Sequence, residues 1–459
     1  MPTGVWYTVG VTMPNQPAAL PAQRAALRKE CASPSNEAAR AWERLPELDS
    51  GTEWASRPAG GCTRSPRSRR LRLLVAGLFL GGCLTFLPGP GGNDLFVQRL
   101  YAAPPSPRPR LTVNVSDSPL DSRAPGLAVS SEATHFVWEE DDRLYHRSWN
   151  GSAWSTSRSI AVGEQPAIGT DSSGRAHVVF VNEFGGNYEI YHCQWTGASW
   201  SLPRNVSNTS GVSSSPRLDV ASDGTIHVVW ADNTPGYNVI YHAHWDGTYW
   251  LNEPVPNAFG GAPAVAVSGD GAVHLTWQDR DAQGAPYEVY YSRWTGSSWS
   301  LPEDLSDTAA EQSIIPGIAI GPGGRAHVAW QERDGGSYAV DYTYGSVGYW
   351  SIPERLSQSA LDAYLPSLAV NAVRTVYVGW DEGTLALYRQ RGSDALGWSP
   401  CSQVSDDAGG VTDLQLAIDI TGQLHAAWVQ RASPSNWDVF YQNLTYPVFL
   451  PVVARANRK

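Results

Sequence analysis

The chain has 459 residues, 17% of them charged, a formal net charge of −11, and 20 tryptophans beside 20 tyrosines. Its excess of acid, concentrated after residue 104, argues against nucleic acid as a partner and suits a soluble surface outside the cell. The five cysteines show no CxxC or Cys/His metal spacing, and the two in the repeats, Cys193 and Cys401, fall too far apart to pair.

Taken in chain order, residues 1–63 are rich in Ala, Pro, Arg and Glu without a sustained period, and read as disordered or as sequence upstream of the true start. Arg64, Arg67, Arg69, Arg70 and Arg72 then precede an apolar run over 73–87, the pattern of an export signal. As a helix that run reaches roughly 22 Å, short of the ~30 Å hydrocarbon core. Residues 64–103 are therefore read as a signal peptide or membrane anchor region. Leu80-Gly-Gly-Cys83 is similar to a lipobox, which makes Cys83 a lipidation candidate, while cleavage near Ala102 or Ala103 is the alternative. The Pro-rich residues 104–109 form a short stiff linker.

From about residue 110 a single unit recurs. Trp138, Phe180, Trp230, Trp277, Trp330, Trp380 and Trp428 close a repeated His-x-x-Trp run at spacings of 42 to 53 residues, giving seven copies. A second anchor, Trp-x-Gly-x-x-Trp, follows the first four, at Trp149, Trp195, Trp245 and Trp294. Within the third copy the alternation of apolar and polar residues predicts four short strands, at 216–221, 225–231, 238–245 and 250–256. Turns at Asp223-Gly224 and Asp246-Gly247 supply the positive φ that tight hairpins need. Four antiparallel strands per copy make a propeller blade, so 110–446 reads as an all-β, seven-bladed β-propeller. The seventh copy lacks a fourth strand, and residues 110–116 match the outer-strand endings at 204–207, 303–306 and 354–357. That N-terminal strand is expected to complete the last blade and close the ring. Residues 447–459 are an apolar and then basic tail, read as an extra strand or an attachment signal.

The recurring histidines, His135, His177, His227, His274, His327 and His425, and the tryptophans suit packing, since a ring has one catalytic site and not seven. Two residues past each Trp stand Glu140, Asn182, Asp232, Asp279, Glu332, Glu382 and Gln430, where the second strand ends at a loop-bearing face. Either each caps its own turn or bonds to a neighbouring blade, or the five carboxylates form a site for a cation such as calcium or for sugar hydroxyls. The adjoining loops end on Tyr188, Tyr237, Tyr287, Tyr338 and Trp437, and Arg280, Arg333 and Arg431 occupy equivalent loops. These arginines are either salt-bridge partners or a common centre for an anionic ligand.

The Ser-x-Asp-Gly-x-x-His-Val-x-Trp repeat, with its Trp-x-Gly-x-x-Trp hairpin, resembles the BNR/Asp-box sialidase-like propeller superfamily. The hairpin is also similar to repeats of seven-bladed, sugar-binding propeller lectins. The resemblance covers 110–446. It departs from the Asp-box pattern, to which Asp246, Gly247, Thr248, Tyr249 and Trp250 come closest. The sialidase Phe/Tyr-Arg-Ile-Pro signature is absent, with Pro216-Arg217-Leu218 a poor substitute, and such sialidases have six blades. The resemblance thus implies a non-catalytic member. The expected function is an exported, secreted or surface-tethered monomer that binds glycan or an extracellular protein through its loop face, without a cofactor unless calcium. It would touch a membrane only through the N-terminal segment. The alternative is a sialidase-like glycoside hydrolase using face carboxylates, which would need one inequivalent carboxyl pair in an otherwise regular ring.

Overall fold

The computed structural model describes residues 84–88, 95–99, 112–280, 284–308, 311–393, 395, 397–406 and 409–444. Residues 1–63, the linker 104–109, the tail 447–459 and Cys83 lie outside them. The chain divides into two units. In the smaller, Leu84–Pro88 pairs antiparallel with Leu95–Arg99, inside the stretch read from sequence as signal or anchor.

The larger unit is a seven-bladed propeller of four-stranded antiparallel blades. The innermost strands begin at Arg123, Glu164, Ser213, Gly261, Ser313, Ala363 and Val411 for blades one to seven. Each innermost strand packs on that of the next blade, and the seventh on the first. In blade three the strands are Ser213–Val220, Ile226–Asp232, Val239–Trp245 and Trp250–Phe259. The second strand is buried at every position because neighbouring blades cover both its faces. The core is accordingly a set of blade-to-blade interfaces: Trp230 sits with Val228 and Ala243 of its own blade and with Val179, Val181 and Ile190 of blade two. The glycines of the predicted turns do adopt positive φ, 90° at Gly224 and 95° at Gly247. Asp246 Oδ1 accepts from the Thr248 and Tyr249 amides, both at 2.7 Å, and fixes the second turn.

Ring closure is as the repeat endings imply. Val113–Asn114 is the outermost strand of blade seven, with Val113 opposite Tyr441 and Asn114 opposite Phe440. The serine of the repeated ending has a defined use: Ser116, Ser207, Ser306, Ser357 and Ser405 Oγ each accept a third-strand amide at 2.8 to 2.9 Å.

The innermost strands start earlier than alternation suggests, because each carries a β-bulge. In blade three the register shifts between Ser214 and Arg217, and the other six blades shift at the equivalent place. The bulged residues, Ala124, Gln165, Ser215, Ala262, Ile315, Leu365 and Asp413, all have φ between 47° and 60°. This is a conformation that disfavours side chains, and contacts from the preceding blade hold it in place. Gln278 Oε1 accepts from Ile315 N and Gln331 Oε1 from Leu365 N, both at 2.9 Å; Gln165 Oε1 accepts from Ser215 N at the same distance.

The histidines pair inside the blades. His135, His177 and His227 Nδ1 lie 3.1, 3.2 and 3.1 Å from Nε2 of His146, His192 and His242. In blades four, five and seven a tyrosine replaces the second ring, at 2.8, 2.6 and 2.8 Å. A ring-to-ring hydrogen bond needs one neutral acceptor nitrogen. Burial pushes His135, His227, His274 and His327 down to about 4, and His146 and His192 to about 3. Below pH ~6.5 the unfolded chain takes up protons that the folded rings refuse, so stability falls as pH drops from ~6.5 toward these values. Asp219, Asp304 and Asp413, which burial raises to about 6, act in the opposite sense, as do Asp381, Glu164, Glu288 and Glu332, also raised by burial; among the described residues these seven stand against nine histidines that burial lowers. The urea midpoint should be level from pH 7 to 8 and clearly lower at pH 4.5; a flat profile would mean the rings are already charged in the fold.

Candidate functional site

The second-to-third strand loops and the blade-to-blade crossings share one face, because Asp232 lies opposite both Ser213 and Val239. On this face the carboxylates two residues past each Trp turn into their blades. Asp232, fully buried, accepts from Thr209 Oγ1 at 2.8 Å, Ser213 Oγ at 2.9 Å, Trp230 Nε1 at 3.2 Å and Thr234 N at 2.8 Å. Glu140 accepts from Ser118 Oγ at 2.7 Å and Trp138 Nε1 at 3.3 Å. Glu332 accepts from Ser313 Oγ at 2.6 Å and Trp330 Nε1 at 2.8 Å. Glu382 and Gln430 accept from Trp380 and Trp428 Nε1, both at 2.9 Å. Asp279 instead takes the Arg280 amide at 2.6 Å. The Trp indole and the side chain two residues on thus form a repeated clasp, a pairing the sequence spacing contains without displaying. Among the described residues no group of three or more His, Cys, Asp or Glu could hold a metal ion.

The aromatic residues of the same loops stay partly or fully open. Phe184 is 77% exposed and Tyr188 39%. Tyr237 packs beside Phe259 with ring centroids 5.9 Å apart, and Tyr338 beside Tyr364 at 5.7 Å. Arg280 lies 5.3 Å from the Tyr287 ring centroid and Arg431 5.0 Å from that of Trp437. These two arginines are held to aromatics of their own loops, and Arg333 is exposed opposite Tyr338 in the strand register. What the structure brings together on two of these loops is a cation and a ring, Arg280 with Tyr287 and Arg431 with Trp437.

Two further features escaped the sequence reading. The first is a groove of about 730 Å³ between blades two and three on the opposite face, lined by Asp171, Arg175, His177, His192, Arg204 and Trp245 among others. There burial opposes ionisation of Asp171, but hydrogen bonds from Ser173, Arg175 and His177 outweigh it and hold the carboxyl below its ordinary range. The second is that the ring is not uniform, as alignment on the tryptophans suggests. On the innermost strands, blade three alone carries Arg217 and Asp219 where other blades have mostly Gly or Ala.

No protein-family model matches the chain, and no curated protein matches it. Solved structures do. An ulvan lyase described as a new polysaccharide lyase family is 12% identical, with a TM-score of 0.53 over 72% of this chain and 95% of that one. A Mycobacterium tuberculosis puromycin-hydrolyzing peptidase is 14% identical, with a TM-score of 0.50 over 72% of this chain and 52% of that one. A Hadza microbial sialidase is 12% identical, with a TM-score of 0.43 over 76% and 69%. At such identities the likeness is one of fold.

Proposed function

We propose that this chain is an exported binding propeller that takes a saccharide on its loop face and performs no chemistry on it. The observation that carries this reading is the division of groups on that face: carboxylates clasped inside the blades, aromatic rings and arginines left outside. A glycosidase working from these positions needs two carboxyl groups at roughly 5 to 9.5 Å that can reach the sugar. The clasped carboxylates are instead committed to indole, hydroxyl and backbone donors. The rings suit the apolar faces of a sugar, and the arginines its hydroxyls or acidic groups. In this reading the protein is a monomer without a cofactor, and residues 64–103 direct its export or tether it to the surface.

The test is binding of the full chain to a broad glycan array, with calcium and with chelator. Selective, calcium-independent binding is expected, weakened about tenfold by Trp437→Ala or Tyr188→Ala, as for an interfacial aromatic worth ~1–2 kcal/mol. A blank array in both conditions would move the ligand from glycan to protein. One observation favours hydrolysis as a second reading: burial, with the neighbouring Asp413, pushes Asp381 well above the usual carboxylate range, as a general acid requires. Turnover of chromogenic glycosides that Asp381→Asn abolishes would establish that reading.

A further inference from the structure

The innermost strands place one layer of seven residues in register, each opposite the residue before the blade's Trp or Phe180: Gly126, Ala167, Arg217, Ala264, Gly317, Ser367 and Gln415. Only blade three contributes a charge. Arg217 is exposed although it lies within an innermost strand flanked by other blades, and the space open to such a residue is the central channel. Its sole hydrogen bond among the described residues is Nη1 to the Pro216 carbonyl at 2.9 Å, which leaves most of the guanidinium donors to the channel.

Its surroundings include carboxyl groups, one of them a competitor. Asp381 of blade six is buried, accepts Leu414 N at Oδ1 at 3.3 Å, and has no partner at Oδ2. Burial, with the neighbouring Asp413, holds its carboxyl well above the ordinary range. Asp413 of blade seven attracts Arg217 electrostatically; burial raises it to about 6, so at pH 7.5 it is ionised and competes for the guanidinium. Asp219 is already committed, taking the Val267 amide at 2.7 Å and its neighbour Val220 N at 2.8 Å.

We propose that the central channel at the level of Arg217 binds one oxyanion, the carboxylate or sulfate of a small molecule or of an acidic sugar, with Arg217 as its principal donor. The other six positions of the layer carry no charge, and the single arginine sets one ligand per ring. The proposal does not depend on the loop face binding a neutral glycan.

The experiment is calorimetric titration of the full chain at pH 7.5 with glucuronate, sodium sulfate and glucose. Glucuronate is expected to bind one per chain and glucose not at all. Binding of sulfate as well would assign the site to oxyanions at large, and glucuronate alone to carboxylates; both support the proposal. Arg217→Gln should weaken binding at least about tenfold, and Asp413→Asn should tighten it about tenfold, each near 1.4 kcal/mol. A gain on Asp413→Asn is a result that mere loss of folding does not produce. Leu202→Ala, an exposed side chain outside both proposed sites, should leave it unchanged. Wild-type protein that binds neither anion, an Arg217→Gln protein of unaltered affinity, or Asp413→Asn no tighter than wild type would each overturn the proposal.

Discussion

Replacing residues 113–116 by four glycines in the full chain should cost most of the propeller's stability. The stretch is short, but it closes the ring. Val115 is fully buried, and its amide donates to Val439 O at 2.7 Å. Asn114 Nδ2 donates to Asp438 Oδ2 at 2.7 Å and Ser116 Oγ to Oδ1 at 3.1 Å. Asp438 is itself buried, and losing these donors leaves it only the Ser118 amide and Asn436 Nδ2, both at 3.4 Å, an effect of about 3 kcal/mol. Burial of Val115 adds about 1.5–3 kcal/mol and each lost hydrogen bond about 1. The sum exceeds about 5 kcal/mol, the lower end of what holds a typical domain folded. The third strand of blade seven, Asn436–Asn443, would also become an open edge, and open edges pair with other chains. Urea denaturation should show the midpoint falling, and size-exclusion chromatography should show higher-order species. An unchanged midpoint would mean that the blade interfaces hold the ring without the clasp.

Asp232→Ala is the second large effect, and it separates a structural carboxylate from a ligand-binding one. Four donors converge on this side chain in a place closed to water. The two hydroxyls can turn elsewhere, whereas the Trp230 indole and the Thr234 amide cannot. A loss of about 3–5 kcal/mol is expected, in the range for breaking a buried charged network. Glu382→Ala, in which a less buried carboxylate holds one indole at 2.9 Å, should lose only about 1–2 kcal/mol. Urea unfolding of both variants measures the difference. If instead both unfold like wild type while glycan or calcium binding disappears, the carboxylates serve a ligand and the clasp is incidental.

The groove between blades two and three shows how side chains distant in sequence combine. Asp171, Arg175 and His177 come from the first turn and second strand of blade two, while Asp223, Trp245 and Asp246 come from blade three. Nothing in a single repeat reveals that adjacency, because it depends on how two blades lean together.

The sequence by itself determined the number of blades, the four strands of each and the closure by the N-terminal strand. All three rest on local chemistry: a 2-residue alternation, glycines where φ must be positive, and an indole that fills each interface at a fixed place in the period. Positions two past each Trp were also legible as a set, but their role was not. Whether a carboxylate faces solvent or an indole depends on the side-chain direction at the strand's end, and on donors such as Ser213 and Thr209 delivered by another strand or crossing. The bulges were hidden for a related reason. A non-glycine residue takes positive φ there because another element fixes it, as Gln331 does for Leu365, 34 residues away. The channel arginine is the extreme case: Arg217 and Asp413 are 196 positions apart in the sequence, and only the closed ring lets their charges act on each other. Periodic contacts are written in each repeat, whereas contacts across the ring exist only once the ring has formed.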